Sequence, residues 1–427
     1  VAFPLVRAHS LSLVDLTALR SQHAVGTRQA RGVLAAFRRL HTGVLDVLVA
    51  GGECHTFQGD CAGPHAQIEV RDRYGAAEVL HLRAGSIQGY LANAWDSADL
   101  PALLTLSELN PQIFSDRPHW SWLRALRALI ERHVSANVHA RYRLTNDFYR
   151  AWLDPSLTYS AALFDGQLQR SLEQAQIAKF EHILQALRPE PGALLLDIGC
   201  GWGAFARHAA IHYGCRVHTI TISRRQVEWA RERIHAAGLA RSVTVQLCDF
   251  RQVSGRYDHV VSVEAYEALG SPAWGDYFHT IARCLNEGGK AFVQAAVVSD
   301  AAFQRDGGRS EFLRRNIQGN AQLATWAILD MHARQAGLTA TSVVRSDDDY
   351  VRTLHCWRER FSDARPQLAK LGLDRRFQRL WHFYLAHCEA GYRAGVTRLV
   401  QAQLEHGEPR ARSPQANRSA GDENGRG

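Results

Sequence analysis

Hydrophobic and polar positions change their spacing along this chain, and the changes mark its elements. Over residues 1 to about 45 the apolar positions recur at helical spacing, with Val33, Phe37 and Leu40 on one face. From Gly43 to about Leu82 they shorten to strand-length runs at 44–49, 54–57 and 66–71, split by glycine-bearing turns. Helical spacing returns at 86–92 and 100–108, so the first part reads as a small α+β unit. Residues 118–150 read as helix in which Arg124, Arg127, Arg132, Arg141, Arg143 and Arg150 interleave with Trp120, Trp122, Leu126, Leu129 and Ile130. That pattern suits either a membrane interface or a solvated face over a core stripe.

A helix marked by Gln174, Ile177, Phe180, Ile183, Leu184 and Leu187 precedes a regular alternation. Apolar runs at 194–198, 217–222, 243–247, 259–263 and 290–296 predict strands, and helices centre near His208, Trp229, Tyr277 and Ala333. Such alternation predicts an α/β fold, a doubly wound parallel sheet. Residues 341–344 read as a further strand, and 350–361 and 375–404 as amphipathic helices. The tail from Gly407, rich in Arg, Ser, Pro, Asn and Gly, reads as disordered. The expected organisation is an α+β domain at 1–115, a helical linker at 116–170, an α/β domain with C-terminal helices at 171–405, and a tail at 406–427.

Composition changes this picture little. The chain of 427 residues has the apolar and charged content of a globular protein, and its net charge of +8 comes from dispersed arginines. Dispersed basic residues argue against a nucleic-acid partner and permit an anionic membrane surface. The eight cysteines form no C-x-x-C and no dense framework, so reduced, mostly buried thiols are expected. The N-terminal stretch lacks the pattern of a signal peptide, and no run approaches the length of a membrane span, so a soluble or peripheral protein is expected.

Chemistry concentrates after the strands. The run Leu194-Leu-Leu-Asp-Ile-Gly-Cys-Gly-Trp-Gly203 is a buried strand breaking into Gly199, Gly201 and Gly203, followed by a helical pattern. Glycines let a ligand approach the backbone, and a helix N-terminus offers N–H groups and a positive dipole end to a carboxylate. The spacing G-x-G-x-G, and Ser223 where a dinucleotide site places an acid, argue against NAD. In an open α/β sheet the ligand lies beyond the carboxyl ends of the strands. Thr221, Ser223 and Gln226 follow the second strand, Asp249 and Phe250 the third, and Glu264, Tyr266 and Glu267 the fourth. Asp249 suits an exocyclic amine and Phe250 the face of a purine. His208 and His212 stand one helical turn apart without a third ligand, so no metal site is expected.

These motifs, with Asn146-Asp-Phe-Tyr149, Leu153-Asp-Pro-Ser-Leu-Thr-Tyr-Ser160, Val261-Ser-Val-Glu-Ala-Tyr-Glu-Ala-Leu-Gly270, Tyr350-Val-Arg-Thr-Leu-His-Cys-Trp-Arg-Glu-Arg-Phe361 and 383–394, follow one another in a familiar order. The chain resembles the cyclopropane-fatty-acyl-phospholipid synthases and the related mycolic acid methyltransferases over most of its length. The resemblance implies a Rossmann-like class I methyltransferase domain with S-adenosylmethionine as donor. Tyr159 and Ser160 would contact its methionine end, Gly199 and Gly201 the region beside it, Thr221 and Gln226 the ribose and adenine side, and Phe250 the adenine ring. It further implies methyl transfer to a cis double bond of an unsaturated phospholipid acyl chain, giving a cyclopropane or methyl-branched chain. A bound bicarbonate would take up the proton, with Glu267, Tyr350 and Gln294 around it. The implied setting is peripheral, on the cytoplasmic face of the membrane, with a homodimer as the assembly.

The chain also departs from that family. Ala161 replaces a cysteine, Gln294 stands where several members carry histidine, the entrance segment reads Arg141-Tyr-Arg-Leu-Thr-Asn-Asp147, and a Pro-Gly-Gly segment is replaced at 319–325. The departures fall on the acceptor and bicarbonate side. They leave open a different lipid or small-molecule acceptor, or a non-catalytic binding subunit.

Overall fold

A computed structural model describes residues 34–49, 52–71, 87–114, 144–167, 169–308, 310–317 and 322–407. The expected N-terminal helix before residue 34, most of the arginine-rich segment, the Gly319 end of the altered segment and the tail beyond 407 lie outside these residues.

The small unit is a four-stranded sheet in the order β2-β1-β3-β4, built from β1 (Thr42–Val49), β2 (Cys54–Gln58), β3 (Cys61–Val70) and β4 (Trp95–Asp96). Alternation along β1 turns Leu45 and Val47 inward. Helix α1 (Leu100–Leu109) covers the sheet and is capped by Asp99, whose side chain accepts from Ala102 N. Asn110 then ties the helix end to the start of β1, accepting from His41 N and Thr42 N and donating to Thr42 O.

The large sheet has the order β10-β11-β9-β8-β5-β6-β7. Its parallel part comprises β5 (Leu194–Ile198), β6 (Arg216–Thr221), β7 (Val243–Leu247), β8 (Tyr257–Val263) and β9 (Leu285–Val298). Leu195, Leu196 and Ile198 are buried, as a central strand covered on both faces requires. Helices α2 (Leu172–Leu187), α3 (Ala204–Tyr213), α4 (Arg224–Ala236) and α5 (Trp274–Cys284) provide that cover together with α6 (Trp326–Gln335). The seven-stranded, mostly parallel sheet is the Rossmann-like class I methyltransferase fold. β10 (Leu338–Arg345) and β11 (Thr397–His406) complete it antiparallel to their neighbours.

β11 corrects the helical reading of 375–404. Only α8 (Arg375–Arg393) is helical there, and the chain turns at Gly395, φ +66°, before entering the sheet between β9 and β10. Leu399, Val400, Gln401, Ala402 and Leu404 are all buried because the strand is interior. A strand covered on both faces loses its alternation, and its Ala, Gln and Leu content mimics a helix.

Helix α7 (Asp347–Asp363) packs along α8, and together they join the two sheets. One core runs from Phe37 and Trp95 of the small unit through Phe148 and Trp152 to Trp357, Phe377 and Phe383. Tyr90 and Phe383 bring their ring centroids to 5.4 Å across that junction. Cys200, Cys215 and Cys284 are buried, whereas Cys54 and Cys61 are exposed, and all eight thiols are free.

Candidate active site

The strand-end glycines adopt backbone angles that other residues disfavour. Gly199, Gly201 and Gly203 have φ of +95°, +51° and +81°. A Cβ on Gly199 would lie 2.9 Å from Ala265 Cβ, whereas one on Gly201 would meet nothing within 4 Å. Gly199 is therefore held by close packing and Gly201 faces open space. Gly203 caps α3 without a side-chain hydrogen bond, so that helix end keeps its polarity for a ligand.

A cavity of about 520 Å³ opens over these glycines. Its walls include Tyr159, Ser160, Gly199, Gly201, Thr221, Gln226, Asp249 and Phe250, which the sequence placed around the donor. Thr221 Oγ1 donates to Gln226 Oε1 at 2.8 Å, fixing both at the start of α4. Asp249 departs from its expected freedom: Arg251 Nε and Nη2 donate to Oδ1 and Oδ2 at 2.9 and 2.7 Å, and this pairing holds its carboxyl below the usual range. An adenine amine would share an acceptor that Arg251 already uses. Phe250 is buried and edge-on to Tyr277, with centroids 6.0 Å apart.

Two buried groups add charge. Asp197, at the end of β5, accepts from Thr219 Oγ1 at 2.6 Å, and burial pushes its carboxyl up to about 6. Lys179 is fully buried and donates from Nζ to Ser160 Oγ at 2.6 Å. Burial lowers its ammonium to about 8, while the charges of Glu264 and Asp154 oppose that shift. The wall residue Tyr159 is backed by further aromatic rings: it lies 5.1 Å from Trp357 and 5.5 Å from Trp152 between centroids, and its hydroxyl meets that of Tyr384 at 3.1 Å.

The residues expected around an anion are arranged differently from their sequence reading. None of Glu267, Tyr350 and Gln294 is a wall residue of the cavity; Glu264 is. The Glu264 carboxylate accepts from Ala161 N at 2.8 Å and Gln294 Nε2 at 2.7 Å on Oε1, and from the Tyr350 hydroxyl at 2.6 Å on Oε2. Tyr350 reaches it from the first turn of α7, and burial together with the Glu264 charge holds its phenol well above the ordinary value. Glu267 faces away, accepting from Ala296 N at 2.7 Å on Oε1, while Oε2 is buried without a partner. Burial, reinforced by the Glu264 charge, pushes the Glu267 carboxyl up to about 8. Sequence spacing had singled out Glu264 only as a strand-end residue. It had no signal for Gln401, whose Nε2 donates to Gln294 Oε1 at 2.8 Å from within β11.

His208 and His212 lie with ring centroids 4.4 Å apart and their planes tilted by 38°, and His208 Nε2 meets Glu181 Oε1 at 2.6 Å. Among the described residues no group of three or more ligating side chains converges on a metal-sized point.

Comparison with known proteins places this geometry. The family model described as mycolic acid cyclopropane synthetase matches residues 130–402. The chain belongs to that family. A tuberculostearic acid methyltransferase of Mycobacterium tuberculosis is 33% identical over 88% of this chain and 93% of its own length. The cyclopropane-fatty-acyl-phospholipid synthase of Escherichia coli is 32% identical over 62% of this chain and 66% of its own. Among solved structures, the mycolic acid cyclopropane synthase CmaA1 complexed with SAH and CTAB superposes with a TM-score of 0.58. It is 27% identical, covering 64% of this chain and 97% of that one. This family member is an S-adenosylmethionine-dependent methyltransferase whose relatives act on lipids. The glycine turn, the uncapped helix end and the cavity they border fit the donor.

Proposed function

We propose that the enzyme transfers a methyl-derived carbon from S-adenosylmethionine to a cis double bond of an unsaturated phospholipid acyl chain, giving a cyclopropane or a methyl-branched chain. The observation that carries this reading is the meeting, in one cavity, of the donor residues with the Glu264 carboxylate beside an aromatic wall. The bound donor supplies an electrophilic methyl group. Methylation of an alkene leaves positive charge on carbon, which a preorganised anion stabilises in a site shielded from water. Gly199, Gly201 and the α3 N-terminus would hold the amino acid end, Thr221, Gln226 and Phe250 the nucleoside, and Lys179 would set the orientation of Ser160 between them.

A bicarbonate ion fits this site poorly. Of the residues expected around it, the Gln294 amide and the Tyr350 hydroxyl already serve Glu264, as does the Ala161 N–H, and Glu267 is not in the cavity wall.

The substrate would be reached from the inner membrane face, with the enzyme peripheral and homodimeric. A net charge of +8 supports attraction to anionic lipid, and among the described residues no helix is long and apolar enough to cross a membrane. The test is incubation with methyl-labelled donor and vesicles of unsaturated phosphatidylethanolamine and phosphatidylglycerol, followed by lipid mass spectrometry. The expected result is a one-carbon mass gain on unsaturated chains, with fragmentation separating ring from branch. Donor consumption without label in lipid would point to another acceptor.

A further inference from the structure

The cavity has several carboxylates in its wall, and their partners distinguish them. Asp197 is bonded by Thr219 at the strand end, and Asp249 is paired with Arg251 on the nucleoside side. Glu264 differs in being held on both oxygens by three neutral donors, a backbone N–H, an amide and a phenol, drawn from three separate parts of the chain. Neutral donors fix a carboxylate in place while leaving its negative charge uncompensated by a direct ion pair. The backbone is also committed to this placement. Glu264 has φ +50°, a conformation that only Asn93, Leu157, Asp165 and Arg188 share among the described non-glycine residues. Its own N–H donates to Gln294 O at 2.8 Å, so the left-handed turn and the amide that holds the side chain belong to one assembly.

We propose that the Glu264 carboxylate is the enzyme's built-in anion and proton acceptor, occupying the place of a dissociable bicarbonate. This rests on the acyl-chain reading for its chemistry. The methyl carbon–sulfur bond breaks with its electron pair leaving on sulfur, and the alkene π pair forms the new carbon–carbon bond. A carbon–hydrogen bond of the added group then breaks. Its electron pair closes the ring onto the cationic carbon, and the proton passes to a Glu264 carboxylate oxygen and on to solvent. Glu267 is not placed for this part, because it is not among the residues that wall the cavity. Gln294 is a positioning residue, and Gln401 positions Gln294 in turn.

The left-handed backbone makes a decisive variant available. Glu264→Gly suits φ +50° and frees the three donors, so it creates the vacant anion site that the native chain lacks. Two measurements on the full chain decide the matter. In the first, 13C-labelled bicarbonate is titrated and followed by NMR. Saturable binding is expected for Glu264→Gly and not for the wild type; saturable binding to the wild-type site overturns the proposal whether or not lipid is the acceptor. In the second, methyl transfer to the same unsaturated vesicles is measured in carbonate-free buffer and with added bicarbonate. The wild type is expected to be indifferent, Glu264→Gln to lose about 100-fold or more in kcat, and Glu264→Gly to lose as much but to recover about tenfold with bicarbonate. Donor affinity measured by calorimetry in each variant separates loss of chemistry from loss of fold. A bicarbonate-dependent wild type, or a Glu264→Gln variant near full activity, would also overturn it. If the wild type transfers nothing to lipid, the acceptor reading fails while the NMR titration still decides the role of Glu264 as resident anion.

Discussion

Gln401 and Gln294 face each other across the β9–β11 ladder, and Gln401 Nε2 donates to Gln294 Oε1 at 2.8 Å. The bond settles which way the Gln294 amide points: its oxygen faces Gln401, so its NH2 group is turned to Glu264 Oε1 and Ala161 O. Both residues are almost fully buried, Gln294 at 1% and Gln401 at 4% exposure, so the amide has no water with which to reorient. Gln401→Leu leaves the Gln294 oxygen unpaired in the sheet interior. The expected outcome is a loss of about 1–3 kcal/mol in stability, read from urea unfolding. A fall of about 10- to 100-fold in kcat with donor affinity unchanged should accompany it, since misplacement of one catalytic group is enough for that. Equal losses in kcat and donor affinity would mean that Gln401 is merely structural.

Gly199 offers a second test, on the donor side. Its φ of +95° and the 2.9 Å approach of an added Cβ to Ala265 Cβ both oppose a side chain. Ala265 adjoins Glu264, so the strain would reach both halves of the site. Gly199→Ala is expected to cost about 1–3 kcal/mol and to weaken S-adenosylmethionine binding by tenfold or more, checked by calorimetry. Gly201→Ala meets no atom within 4 Å and should be milder in stability while still narrowing the donor cavity.

The donor half was legible in the sequence because its signals are local. A strand of continuous apolar residues, glycines needing positive φ and polar residues one step beyond each strand end are all contiguous features, and Leu194–Ile198 folds as read. The anion half is assembled from Ala161, Glu264, Gln294, Tyr350 and Gln401, which no short window contains. Family position favoured Glu267 as the acidic partner of Tyr350, yet the left-handed turn at Glu264 brings its own carboxylate to Tyr350. The same limit hid β11: an interior strand with Ala and Gln carries neither alternation nor the β-branched density that would have marked it.

The helices that deliver Tyr350 depend on a buried charge cluster. Glu389 of α8 is fully buried, with Arg358 Nε donating to Oε2 at 3.1 Å and Arg393 Nη2 to Oε1 at 2.5 Å. Arg358 belongs to α7, so the cluster joins the helix bearing Tyr350 to the helix whose Tyr384 meets Tyr159. Removing the carboxylate leaves the largely buried Arg358 guanidinium uncompensated, whereas Arg393 is exposed enough to turn to solvent. Glu389→Ala is expected to destabilise by about 3–5 kcal/mol, and Glu389→Gln by less because it keeps an acceptor. Thermal melts of the two variants check the order. Equal melting temperatures would show that the pair contributes little.

Glu267 makes a pH dependence that can be worked out in sign. Its carboxyl is raised from the ordinary 4.5 to about 8, chiefly by burial and secondarily by the Glu264 charge. Between those values the folded chain holds a proton that the unfolded chain has released, so folding is opposed increasingly as pH rises. The slope from this group is at most about 1.4 kcal/mol per pH unit, and it vanishes above the folded value, where both states are ionised. Glu267→Gln retains an oxygen to accept from Ala296 N and removes the titration. Urea unfolding from pH 5 to 8.5 is therefore expected to show a flatter profile for Glu267→Gln, with its advantage over the wild type growing toward pH 8. Glu264→Gln should shift the wild-type midpoint downward, because the Glu264 charge is part of what holds the Glu267 proton in place. Parallel profiles for wild type and Glu267→Gln would mean that Glu267 is ionised in the fold, and that two carboxylates beside each other both carry charge.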